Sequence, residues 1–274
     1  MKYNSLKTEL QKALHNRWFF AALAIGLLLS AVNIGENLAL IAEMGEHRGR
    51  MSASLFCYWL GITPGTAKGV FYTIWPLLAA LPYGWSYIQE RTSGVHDQIV
   101  YRVGRKKYFF AKYLAVFVSG GLALMTPLLF DLLANALVCT YWVPNVTYYL
   151  TLVFDGHFLS TLYYTQPWLY ALLWCGMTFL WGGAAACLCL TVGTWPKLRS
   201  VVTILPFIVL MAVDGVIAVL PAYAKGKLEL SPMLLVRCAP PHMNPGWLEF
   251  LALSVLTLFS LALGYWQVVK HELA

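Results

Sequence analysis

Six times this chain runs for about twenty residues with hardly a charge, and that repetition limits what it can fold into. The runs are about Trp18–Leu40, Gly69–Tyr87, Phe109–Val138, Trp168–Val192, Val201–Leu220 and Trp247–Val268. Twenty helical residues reach roughly 30 Å, the thickness of a bilayer's hydrocarbon core. In hydrocarbon each backbone N–H and C=O must find its partner within the protein, which a helix provides by itself. The expected fold is therefore an all-α integral membrane protein with six transmembrane helices, one transmembrane domain over residues 1–274. Composition agrees. Charged residues make up 11% of the chain and hydrophobic ones 59%, against about a quarter charged in a soluble domain.

Orientation follows from the placement of Lys and Arg, which favour the cytoplasmic side. With the N-terminus inside, thirteen of the 19 bases fall on the inner side and six on the outer. Both termini are thus expected in the cytoplasm, in the plasma membrane of a cell. The net charge of +7 reads as anchoring to anionic lipid. The bases border the spans, and no soluble module exists to present them to nucleic acid.

Residues 1–17 precede the first run. Tyr3, Leu6, Leu10, Ala13 and Leu14 recur at three- and four-residue steps, with Lys2, Lys7, Glu9 and Lys12 on other faces. This pattern predicts an amphipathic helix lying in the inner headgroup plane. A long outer loop, 221–246, precedes the last run, and its prolines suit a short helical hairpin. Gly182-Gly183-Ala184-Ala185-Ala186 lets backbones approach closely, within one chain or between two. The six cysteines have no metal-ligand spacing; free thiols are favoured over an outer Cys57–Cys238 disulfide.

Between the second and third runs lies the most charged stretch, Gln89–Lys112, reading QERTSGVHDQIVYRVGRKKYFFAK. Glu90 and Asp97 stand there against Arg91, Arg102, Arg105, Lys106, Lys107 and Lys112. A hairpin of this size, 88–108, is too short to fold alone, so it is expected to touch lipid headgroups or another protein. Anionic lipid favours each base by about 1 kcal/mol, and the helix dipole opposes it by about 0.3–1 kcal/mol. Lys106 and Lys107 should therefore anchor the third span, with Lys112 snorkelling back from one turn deeper. A preference for bases on the inner side explains these cations. It does not require Glu90, Asp97 or Gly94.

Three acids fall inside the runs: Glu36, Asp131 and Asp214. Ionisable groups in a bilayer are costly and commonly mark an internal path. Each lies near the outer end of an outward-running span, where the helix dipole disfavours an acid. Two readings stand: pairing with outer-loop Arg48, Lys225, Lys227 or Arg237, or an acidic vestibule for a cationic or amphiphilic substrate. Asp131 and Asn135 share a helix face. The chain lacks a phosphate-binding glycine loop, the H-E-x-x-H motif and the serine elbow. It is read as a protein that catalyses no covalent chemistry and holds no metal or cofactor of its own.

Four features together resemble the ATP-binding cassette type-2 permease family. They are the amphipathic start, six spans with both ends inside, the hairpin after the second span, and the long outer loop before the sixth. Glu90-Arg91-Thr92-Ser93-Gly94, followed by Ile99 to Lys112, looks like the family's E-R-x-x-G run and the basic stretch that enters the third span. The resemblance covers essentially the whole chain. It implies that residues 1–17 form the elbow helix. It also implies that Glu90, Arg91, Gly94, Asp97, Arg102 and Arg105 belong to a coupling helix docked on a separate cytoplasmic ATPase. That ATPase would bind ATP and Mg, and a second permease chain, the same or related, would complete the exporter. Glu90 would then meet a basic group on the ATPase or an arginine of this chain. Loops 41–68 and 139–167 are longer and more aromatic than in minimal members of the family. The competing classes are a proton-coupled secondary transporter using Asp131 or Asp214, and a non-transporting membrane anchor or immunity protein.

Overall fold

A computed structural model describes residues 5–43, 54–60, 66–139, 144, 153, 157–192, 199–219, 231–237 and 246–266. The described residues form helices and no strands. In chain order the helices are α1 (Ser5–Leu14), α2 (Arg17–Glu43), α3 (Leu55–Leu60), α4 (Thr66–Ala80), α5 (Ser86–Thr92) and α6 (Val95–Val103). Then come α7 (Arg105–Val138), α8 (Ser160–Thr165), α9 (Pro167–Val192), α10 (Arg199–Val219), α11 (Pro232–Leu235) and α12 (Gly246–Tyr265). Among the described residues four helices, α2, α7, α9 and α10, are long and apolar enough to cross a membrane. The architecture is consistent with an all-α membrane protein.

The second apolar run departs from one continuous helix. α4 ends at Ala80, a turn occupies 81–85, and helix resumes at Ser86. Fifteen residues of α4 reach only about 22 Å. Pro82 sits in the turn, and proline lacks the N–H that a continuing helix needs. Asn16 bridges this turn to the start of α2. Its side-chain amide donates to the Pro82 carbonyl at 3.1 Å, and its Oδ1 accepts the Trp18 N–H at 3.2 Å.

α9 is the central helix: 78% of its apolar window is buried, against 28% for α2 and 22% for α10. Small residues place it there. A Cβ on Gly182 would lie 2.9 Å from the Gly120 carbonyl oxygen, and one on Gly120 would lie 2.4 Å from the Ala186 Cβ. The glycine-alanine stripe therefore packs within the chain, against α7. α2 crosses α7 by a similar notch, with Gly26 facing the Pro127 ring. Cys57, Cys139, Cys175, Cys187 and Cys189 are free thiols. Cys57 lies 3.2 Å from the Tyr163 hydroxyl.

Cys238, Arg48, Lys225, Lys227, both chain ends and most of the segments 44–65, 139–167 and 221–246 lie outside the described residues. Residues 193–198 lie outside them too.

Candidate functional site

The polar stretch after the second run folds as two short helices, α5 and α6, that lead into α7. Two glycines make the reversals. Gly94 has φ 72° and Gly104 has φ 85°, both in the region that L side chains avoid. No atom lies within 4 Å of a Cβ built at either position, so the demand is conformational, not steric.

Most charged side chains of this hairpin lie on its outer surface. Arg91, Asp97, Arg102, Lys106 and Lys107 are exposed and Arg105 is half-buried. Among them stands Tyr101, 93% exposed, with Val95 also exposed. An aromatic this open on a polar helix has apolar surface that no part of the described chain covers.

The inner surface is different, and it corrects the expectation that the hairpin meets only lipid or another protein. Glu90 turns into the chain. Its Oε1 accepts from Lys112 Nζ at 2.7 Å, and its Oε2 accepts from the Tyr108 hydroxyl at 2.6 Å. Lys112 also donates to Glu9 Oε2 at 2.7 Å and to the Tyr83 hydroxyl at 3.3 Å. Tyr83 in turn donates to Glu9 Oε2 at 2.9 Å. Lys12 closes the set, 2.9 Å from Glu9 Oε1 and 3.9 Å from Glu90 Oε1. Two carboxylates thus balance two ammonium groups. The partner of Glu90 is a lysine of this chain, not an arginine.

Two sequence readings change here. Lys112 does not snorkel to the headgroups: it is 1% exposed, with its ammonium 4.7 Å from the centre of the Tyr83 ring. Glu9 does not belong to a solvated face of α1. It is 2% exposed, inside the cluster. The reason is electrostatic. A buried ammonium is tolerated where carboxylates and hydroxyls meet it on every side. Burial alone would raise the Glu9 pKa; Lys112 and Lys12 outweigh it and hold the carboxyl below its ordinary value.

His96 completes the inner face. Its ring stands edge-on between Tyr87 at 5.5 Å and Tyr108 at 4.9 Å. α6 is thereby held against α5 and the first turn of α7. Glu9, Lys12, Tyr83, His96 and Tyr108 were not legible as one group, because they come from four separate stretches. The E-R-x-x-G and Lys112 signals found two members only.

The three acids in the apolar runs each have a partner within the chain. Glu36 Oε1 accepts from the Thr66 backbone N–H at 3.1 Å and the Thr66 hydroxyl at 2.9 Å. It thus caps the N-terminus of α4, where the helix dipole favours an acid. Asp131 pairs with Lys68 at 2.5 Å and accepts from Asn33 at 2.9 Å and Asn135 at 3.2 Å. Asn37 donates to Asn135 at 2.9 Å, extending the polar seam between α2 and α7. Asp214 accepts from the Ser231 hydroxyl, tying α10 to the segment that starts α11. Of the four bases expected to pair with these acids, only Arg237 is among the described residues, and the partners named here do not include it.

No model of a known protein family matches the chain, and no curated protein sequence matches it.

Proposed function

We propose that the chain is the membrane-spanning permease subunit of an ATP-driven exporter, with α5 and α6 receiving force from a separate ATPase. One observation carries this reading. The hairpin presents an exposed Tyr101 among Arg91, Asp97 and Arg102 outwardly, while inwardly Glu90 is ion-paired to Lys112 of α7. A contact made at Tyr101 therefore acts on a rigid polar joint between α1, the 81–85 turn, α5 and α7. A segment serving as a lipid anchor alone has no need of that inward connection.

In this reading six spans cross the plasma membrane with both ends in the cytoplasm. α1 is the elbow helix at the inner surface, and Lys106 and Lys107 meet anionic headgroups. Arg91, Gly94, Asp97, Arg102 and Arg105 belong to the docking hairpin, Gly94 by shaping its turn. ATP and Mg act in the partner, and the substrate is amphiphilic or peptide-like. A second permease chain completes the pathway.

Co-purification from membranes with candidate cytoplasmic ATPases tests the reading. Wild type retains the ATPase, and Tyr101→Ala and Arg102→Glu release it. Equal retention by all three would remove the docking assignment.

A further inference from the structure

A recess of about 620 Å³ opens between α2, α4 and α10, at the end of the bundle that carries the hairpin. α2 and α10 both pack on α4, and they are the least buried of the four long apolar helices. The mouth is framed by Trp18 on α2, Trp85 beyond the Pro82 turn and Ser200 on α10. Ile25 lies seven residues past Trp18, and Ile74 seven residues before Leu81, so each wall is about 10 Å deep. The floor is closed: Leu78 is 2% exposed and Thr203 is 7% exposed. Farther along, α11 packs on α4 and α10 with Met233 and Leu235 buried. The seam between α4 and α10 is therefore hollow at the hairpin end and packed at the other.

The lining changes with depth. Ile25, Ile74, Leu77 and Leu78 make the deep walls aliphatic. Trp85 Nε1 donates to the Leu81 carbonyl at 3.0 Å, so this indole has its hydrogen bond and its ring serves as an apolar wall. The mouth is electropositive. α2, of 27 residues, and α10, of 21, both begin there, and the start of a helix carries a partial positive charge. Arg17, next to Trp18, is exposed and makes no ion pair among the described residues.

We infer that this recess binds the single alkyl chain of an anionic amphiphile, with the chain along Ile25 and Ile74 and the headgroup beside Arg17 and the two helix starts. The size suits one chain, since ligand pockets commonly hold about 300–1,000 Å³, and it is too small for both chains of a phospholipid. Burial of methylenes supplies affinity. Trp18 and Trp85 stand where aromatic side chains mark a membrane boundary. A neutral amphiphile buries the same methylenes and forgoes the charge contact. The site holds whether or not an ATPase drives the protein.

Photolabelling of the full chain in phosphatidylcholine nanodiscs tests the site. The probe is hexadecyl phosphate with a diazirine near its chain end, and hexadecanol with the same diazirine is the neutral comparison. Peptide mass spectrometry should find Ile25 and Ile74 labelled by the phosphate more heavily than Leu258 of α12, which is 65% exposed and outside the recess. Excess unlabelled hexadecyl phosphate should displace the label from the recess and not from Leu258. Ile204→Trp puts a ring into the recess at a position 44% exposed, so the variant should fold and lose the recess label. Arg17→Gln should cut phosphate labelling about two- to fivefold and leave the hexadecanol signal unchanged. Label at Ile25 and Ile74 that only matches Leu258, or that excess phosphate does not displace, would overturn the site, because bulk lipid then fills the recess. Displaceable labelling of equal strength by hexadecanol would overturn the anionic assignment. Label at Leu258 with none at Ile25 or Ile74 would also overturn the site, since another chain would then cover it.

Discussion

The ammonium of Lys112 lies 2.7 Å from Glu90 Oε1, joining residues from two helices with the His96 turn of the hairpin between them. Lys112 belongs to α7, which runs on through the Gly120 contact with α9 and the Asp131 centre with α2. The hairpin is thus fixed to the helix with the widest reach in the bundle.

Lys112→Met should destabilise the detergent-solubilised protein by about 3–5 kcal/mol, because buried Glu9 and half-buried Glu90 lose their common cation. Lys112→Met combined with Glu9→Gln and Glu90→Gln should recover part of that loss. Thermal melting of the single and triple variants checks it. A triple variant less stable than the single one would show that hydrogen bonds, not charge balance, dominate the cluster.

Acid should loosen α1. The Glu9 carboxyl is held below its ordinary pKa in the folded protein, although its burial acts the other way. A depressed carboxyl contributes stability that is full above the unfolded value near 4.5 and declines as pH falls through the folded one. Stability measured between pH 7 and 3 should therefore drop at the acid end. The drop should shrink in Glu9→Gln, whose neutral amide does not titrate.

Tyr101→Ala should leave the melting temperature unchanged, since the side chain is 93% exposed. Tyr108→Phe should destabilise the protein by about 1–3 kcal/mol and so lower the melting temperature, because Glu90 Oε2 loses a buried donor. The two tyrosines sit in one short stretch, seven positions apart, and separate docking from joint integrity.

Gly120→Ala should destabilise by about 1–3 kcal/mol, as the new methyl meets the Ala79 carbonyl oxygen at 2.8 Å and the Ala186 Cβ at 2.4 Å. Gly176→Ala provides the contrast: nothing lies within 4 Å of its Cβ, so the same change should be neutral or mildly stabilising. Melting curves of the pair distinguish close helix contact from helix propensity.

By itself the sequence determined the helical class, because long uncharged runs leave no other way to pair the backbone in lipid. It also marked the hairpin by its charge, and Gly94 and Gly104 are where a charged strip could reverse. At the second run the prolines signal a bend that hydropathy does not show: the helix breaks at Pro82, while Pro76 stays inside α4. Periodicity placed Glu9 with the solvated charges of α1, since a helical wheel does not show what approaches from another element. Only the tertiary structure decided which charges are buried. Lys112, Glu9 and Glu90 are separated by up to 103 positions, and an ion pair between them costs desolvation that is repaid only when all the partners arrive together. The same holds for Asn33, Lys68 and Asp131: each is an improbable residue to bury alone, and a tolerable one once three helices bring them within hydrogen-bonding distance.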